Sequence, residues 1–105
     1  SQLLQINAFL EAVDNDKISE NDTESTLSEV RDLLGQIKDR NLLLPESSEA
    51  LWGIIDDPKI EAKHSLKVTI PIIPFILNYE GELGLGTGIN LKKIWESNVS
   101  RKISK

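Results

Sequence analysis

His64 is the chain's one histidine, and cysteine is absent. Thiolate chemistry is therefore excluded, and imidazole chemistry, including histidine ligation of zinc, reduces to a single side chain. Its position argues against a catalytic use: His64 falls among the even-numbered residues Ile60, Ala62, Leu66, Val68 and Ile70, where a buried, hydrogen-bonded or strand-edge histidine is expected rather than a general base. Asp14 and Asp16 occupy the first and third positions of a calcium-loop pattern. Ile18, however, stands at a ligand position, Ser19 where glycine makes the sharp turn, and Ser25 where a bidentate glutamate belongs. A solvated loop is expected. Gly81-Glu82-Leu83-Gly84-Leu85-Gly86-Thr87-Gly88 invites a phosphate reading, because backbone amides at a helix start attract anions. Yet Ile89 stands where a third glycine would follow Gly84 and Gly86, and no Lys-Ser or Lys-Thr completes a Walker spacing, so a flexible turn is expected. Trp52 and Trp95 fall on apolar helical faces and are expected in the core. Asn21-Asp22-Thr23 and Asn98-Val99-Ser100 match the glycosylation triplet, which is expected to mean little without a secretory signal. No nucleophile with its base, paired carboxylates or ligand cluster is legible. The expectation is a non-enzyme with no catalytic, cofactor or metal residues.

Length and composition bound what must hold these residues. A chain of 105 residues suits one domain with one modest core. Methionine is absent, so the chain is expected to be a piece of a longer polypeptide. The longest apolar run, Val68 to Leu77, contains two prolines and is about half the roughly 20 residues of a spanning helix. Residues 1–62 hold 14 acids and 5 bases (net −9), and residues 63–105 hold 3 acids and 7 bases (net +4), giving the overall −5. Complementary halves that pack together are the expected consequence.

Three helices are expected in the N-terminal part, 1–58. Leu3, Ile6, Leu10 and Val13 recur at three- and four-residue steps, ending at Asp14-Asn15-Asp16. Leu27, Val30, Leu33, Leu34 and Ile37 repeat the pattern, with Asp22 or Thr23 as N-cap and Asn41 as the stop. Leu42-Leu43-Leu44-Pro45 is too apolar to be left in water. A shorter helix carries Leu51, Trp52, Ile54 and Ile55, capped by Ser47 or Ser48 and ended by Pro58. From Ile60 to Ile70 the even residues are apolar, His64 excepted, and the odd ones polar. From Phe75 to Leu85 the odd positions Phe75, Leu77, Tyr79, Leu83 and Leu85 are apolar. Period two predicts two strands, with Pro71 and Pro74 at the turn, and hence a long antiparallel hairpin with a glycine-rich turn over 59–89. Asn90 then caps a C-terminal helix and basic tail over 90–105, with Leu91, Ile94, Trp95 and Val99 inward and Lys92, Lys93, Arg101, Lys102 and Lys105 outward. The expected fold is α+β, with the C-terminal helix packed on one face of the hairpin.

Ile70, Ile72, Ile73, Phe75 and Ile76 crowd the hairpin tip, too close together for alternation to bury on one face, so they form the expected interaction surface. The pattern Asp57-Pro58, Lys63 to Lys67, Ile70-Pro71-Ile72-Ile73-Pro74, Tyr79-Glu80-Gly81-Glu82, Leu91 and Trp95 resembles an accessory segment of bacterial, especially cyanobacterial, multidomain STAND-type signalling proteins. The resemblance covers roughly residues 56–103 and transfers no functional residue. It implies a non-catalytic cytoplasmic module that couples or localises a larger effector. Its partner would be another protein, another domain of the same chain or a second copy, with no nucleic acid. The alternative expectation is membrane contact through the apolar tip and the basic tail.

Overall fold

Leu27, Val30, Leu33, Leu34 and Ile37 lie on one stripe of a helix long enough to touch most of the molecule. In the computed structural model that helix is the central element. The structure describes residues 2–48, 50–86 and 88–103, with residues 47 and 100–103 as backbone only. In order, the elements are α1 (Gln2–Asp14), α2 (Glu20–Asp39), a 3-10 turn (Glu46–Ser48), α3 (Leu51–Ile55), α4 (Ala62–Thr69), a second 3-10 turn (Ile70–Ile72), α5 (Ile73–Leu83) and α6 (Ile89–Ile103). Helix α2 packs against α4, α5 and α6, while α1 packs against α6 and reaches α4 and the Ile70–Ile72 turn.

The described residues contain no strand, so the expected α+β fold and its hairpin over 59–89 are overturned. The reason is a coincidence of periods. Residues four apart share a face in a helix and in a strand alike, so Ala62, Leu66 and Ile70 satisfy both. Positions two away decide between them: His64 is exposed and Val68 only half-buried, whereas Ser65, Leu66, Thr69, Ile70, Ile73 and Ile76 are buried. That set follows steps of three and four.

The prolines mark helix starts rather than a hairpin turn. Pro71 falls in the first turn of the 3-10 segment and Pro74 in the first turn of α5, where a missing amide hydrogen costs nothing because that donor has no helical acceptor. Lacking an N–H at residue 71, the backbone tightens: the Ile73 N–H donates to the Ile70 carbonyl, and α4 passes into α5 through one 3-10 turn. Helix α5 ends at Gly84, which takes the left-handed conformation (φ 58°) and donates its N–H to the Glu80 carbonyl, a geometry that glycine adopts without Cβ strain.

Ser19, rather than Asp22 or Thr23, caps α2, its hydroxyl accepting from the Asp22 N–H at 3.1 Å. Thr23 and Thr26 instead turn inward and donate to the carbonyls of Ser19 and Asp22, which satisfies hydroxyls that would otherwise be buried unpaired. Asn41 has a left-handed φ of 56° just past Arg40 and is the expected stop. Helix α6 begins at Ile89, not after an Asn90 cap. Its open Leu91 N–H donates to the carboxylate of Glu29 on α2, a charge suited to a helix N-terminus.

The core is a single apolar cluster drawn from every helix, with Phe9, Val30, Leu34, Ile37, Leu66, Ile73, Ile76 and Leu91 fully inside. Burying each such aliphatic or aromatic side chain contributes about 1.5–3 kcal/mol. Trp95 belongs to this core, its ring 5.3 Å from that of Phe9. Trp52 does not: it is half-buried, and the Lys38 ammonium lies 5.5 Å from its ring centroid. In the α2–α3 connection Leu42 and Leu44 pack against the cluster, whereas Leu43 faces water.

Candidate functional site

Most residues singled out in the sequence lie among the described ones. Four of the five expected surface residues lie inside: Ile70, Ile73 and Ile76 are 0% exposed and Ile72 is 3% exposed. Only Phe75 reaches solvent, at 40%. The cover that the isoleucines required is the protein's own helices. The expectation that they crowd a protruding tip rested on the hairpin and falls with it.

His64 projects from the exposed side of α4, so the buried or strand-edge setting expected for it is also overturned. Asp14 and Asp16, the calcium-loop residues, are held by lysines: Lys67 Nζ lies 2.6 Å from an Asp14 carboxylate oxygen, and Lys63 Nζ lies 3.0 Å from Asp16. The hydrogen bond from Lys67 lowers the Asp14 carboxyl below its ordinary range, and the hydrogen bond to Asp16 raises Lys63 above its own. These two pairs fasten the end of α1 to α4. Among the described residues no group of three or more His, Cys, Asp or Glu side chains is placed to hold a metal ion.

The glycine-rich connection between α5 and α6 is built for close packing. A Cβ on Gly86 would sit 2.6 Å from Gln36 Nε2, and one on Gly88 would sit 3.0 Å from Leu33 Cδ1. Glu29 and Asp32 line the adjoining recess, and the Glu29 carboxylate already takes the helix-start amide that a phosphate would need. An anion there would meet like charge. Thr87 lies outside the described residues, as do the side chains of Ser47, Arg101 and Lys102, and Lys105 entirely.

Two surface features are assembled only by the fold, although Phe75 was itself expected at the surface. The first is an apolar stripe on α5, where Phe75, Tyr79 and Leu83 stand one turn apart. The Tyr79 hydroxyl donates to the Leu43 carbonyl, which brings Leu43 beside the stripe. Leu43 is 84% exposed and Leu83 is 44% exposed. Helical spacing would have found these residues had the segment been read at period 3.6.

The second is a cleft of about 650 Å3 between α2, the α3–α4 connection and α4. Glu24, Ser28 and Arg31 follow each other at steps of four and three on α2, which puts them on one face. Asp56 and Asp57 approach from the connection, and Ser65 from α4. Arg31 donates through Nη2 to the Ile55 carbonyl at 2.8 Å, and its Nε lies 3.4 Å from an Asp56 oxygen. Asp57 accepts the Lys59 N–H at 2.9 Å, which shapes the loop. No helix among the described residues is long and apolar enough to cross a membrane. Compared with known proteins, the chain matches no family model, no curated protein and no solved structure.

Proposed function

We propose that the chain is a non-catalytic protein-interaction or regulatory module that docks on protein through the α5 stripe. The observation that carries this reading is the exposure of Phe75, Leu83 and Leu43 around Tyr79; among the described residues the other exposed large apolar side chains are Leu3, Leu4 and Ile89. Grouped apolar residues left in water more often mark protein contacts than single scattered ones do. The resemblance to accessory segments of STAND-type signalling proteins supports the same role and carries with it a cytoplasmic location. The membrane alternative is less well supported, because the isoleucines it would insert into lipid are covered.

A second copy is the simplest partner to test. Sedimentation velocity over a concentration series should show association of the wild-type chain that is lost in the variant Phe75→Glu with Leu83→Glu, while helical circular dichroism is retained. Wild type and variant sedimenting alike as monomers would count against the stripe. Co-sedimentation of the wild type, but not the variant, with anionic liposomes would transfer the role to lipid.

A further inference from the structure

We propose that α3 is a flap that detaches from α2 and α4 while the rest of the fold stays closed, with Arg31 as its latch. The inference is independent of the α5 stripe, with which α3 shares no residue. Length is the first ground. Helix α3 has five residues, and Ala50 at its N-cap makes no side-chain hydrogen bond. A helix that short is unstable alone, so α3 exists only while its neighbours hold it.

Gly53 is the second ground. It stands at the centre of α3 and is exposed, and a Cβ built there meets no packing neighbour within 4 Å. Packing therefore does not call for glycine at this position. Its effect is to disfavour the helix, because glycine loses more backbone freedom on becoming helical than alanine does.

The third ground is the way α3 is fastened. Leu51 and Ile55 are buried, whereas Trp52 and Ile54 are only half-buried. The polar fastenings to α2 are long side chains. Arg31 Nη2 donates to the Ile55 carbonyl at 2.8 Å, and Nε lies 3.4 Å from an Asp56 oxygen. One guanidinium thus holds the C-terminal end of the helix, where carbonyls lack helical partners. Lys38 lies over the Trp52 ring. The Arg31–Asp56 pair is about half exposed on both sides, and water replaces such a pair at little cost. Short, disfavoured as a helix and lightly tied, α3 belongs to the low-stability end of the range over which parts of a fold open separately. Detachment takes Ile55 out of the wall of the α2–α4 cleft, which Leu27 and Ile60 also line, and uncovers the side of α4 against which α3 packs. The cleft then widens toward the core, and α3 sets how often it does so.

Thiol labelling tests the proposal, because the chain has no cysteine of its own. A single thiol introduced by Ile55→Cys reports on α3. One introduced by Val30→Cys, at a fully buried site of α2, reports on global unfolding. At low urea the rate at which Ile55→Cys reacts with an aromatic disulfide reagent should scarcely depend on urea. The rate for Val30→Cys should rise steeply from the start, since the surface exposed in the reactive state sets the urea dependence. Added to Ile55→Cys, Gly53→Ala should slow labelling about fivefold, and Arg31→Met should speed it about tenfold. Equally steep urea dependence at the two thiols would overturn the proposal, as would unchanged labelling of Ile55→Cys when Gly53→Ala is added. The Gly53→Ala comparison decides the matter by itself should Arg31→Met not fold.

Discussion

Helices α1 and α2 and the segment from α4 to α5 are built alike, but their sequences encode the fact differently. In α2 the apolar residues sit at steps of three and four with exposed charges between them, a pattern that no strand can bury on one face. From Ile60 to Ile70 the apolar residues fall mainly two and four apart. Steps of four fit both structures, so the identity of the fold hung on Val68 and His64. One is half-buried beside the core and the other is exposed. The lesson is that alternation in a segment flanked by prolines has to be tested at the two-residue step. Steps of four decide nothing.

The largest effect that would break this equivalence is at the former hairpin tip. Ile73→Asp puts a carboxylate at a site with no exposure, a change expected to cost more than about 4 kcal/mol and to unfold the chain. A residue at an exposed tip would tolerate the same change. Urea unfolding followed by circular dichroism gives the answer, and a native-like midpoint would contradict the burial.

The tryptophans sharpen the same comparison at intermediate size, since α6 buries one and α3 leaves the other at the rim. Trp95→Ala should cost about 3–5 kcal/mol, through the cavity left against Phe9. Trp52→Ala should cost about 1–2 kcal/mol, mostly its partial packing and the Lys38 contact. Single-tryptophan variants should show blue-shifted emission from Trp95 and redder emission from Trp52. Equal losses and equal emission would contradict the difference in burial.

The smallest effect lies where the two regions meet. Asp14 has a folded pKa lowered by Lys67 from its ordinary value of 3.8. The pair therefore contributes stability that is fully present above that value and lost as pH falls through the lowered one. Asp14→Asn should flatten the acid decline in urea midpoint measured from neutral pH to about pH 3, and an unchanged slope would show that the pair does not link α1 to α4. The partners are exposed and salt screens them, so the change should be slight and smaller still at high ionic strength.

The faces of α2 and α6 were legible because Leu27, Val30, Leu34 and Ile37, and Leu91, Ile94, Trp95 and Val99, recur with a period that only a helix satisfies. The α1 stripe was misplaced, since Leu3 is exposed and Ile6 and Leu10 only half-buried while Ala8, Phe9, Ala12 and Val13 face the core. The stops at Asp14 and Asn41 were legible from local chemistry. The caps were not, since Ser19 lies outside the apolar stripe it serves and Glu29 reaches its helix end from 62 residues away in sequence. The candidate cleft was invisible for a related reason: Glu24, Asp57 and Ser65 come from three elements that only the packing of α4 on α2 brings together. Phe75 was legible as an apolar residue without cover. Its neighbours in the expected surface were not distinguishable from it while the segment was read as a hairpin.

Val68 and Thr69 test the helical account of 60–85 most directly, because helix and hairpin assign them opposite faces. Thr69 is fully buried and donates its hydroxyl to the Leu66 carbonyl, whereas Val68 is half-buried at the edge of the core. Urea midpoints of Thr69→Lys and Val68→Lys should fall sharply for the first and slightly for the second. A sharp loss at Val68 with tolerance at Thr69 would restore the alternating strand and contradict the helix.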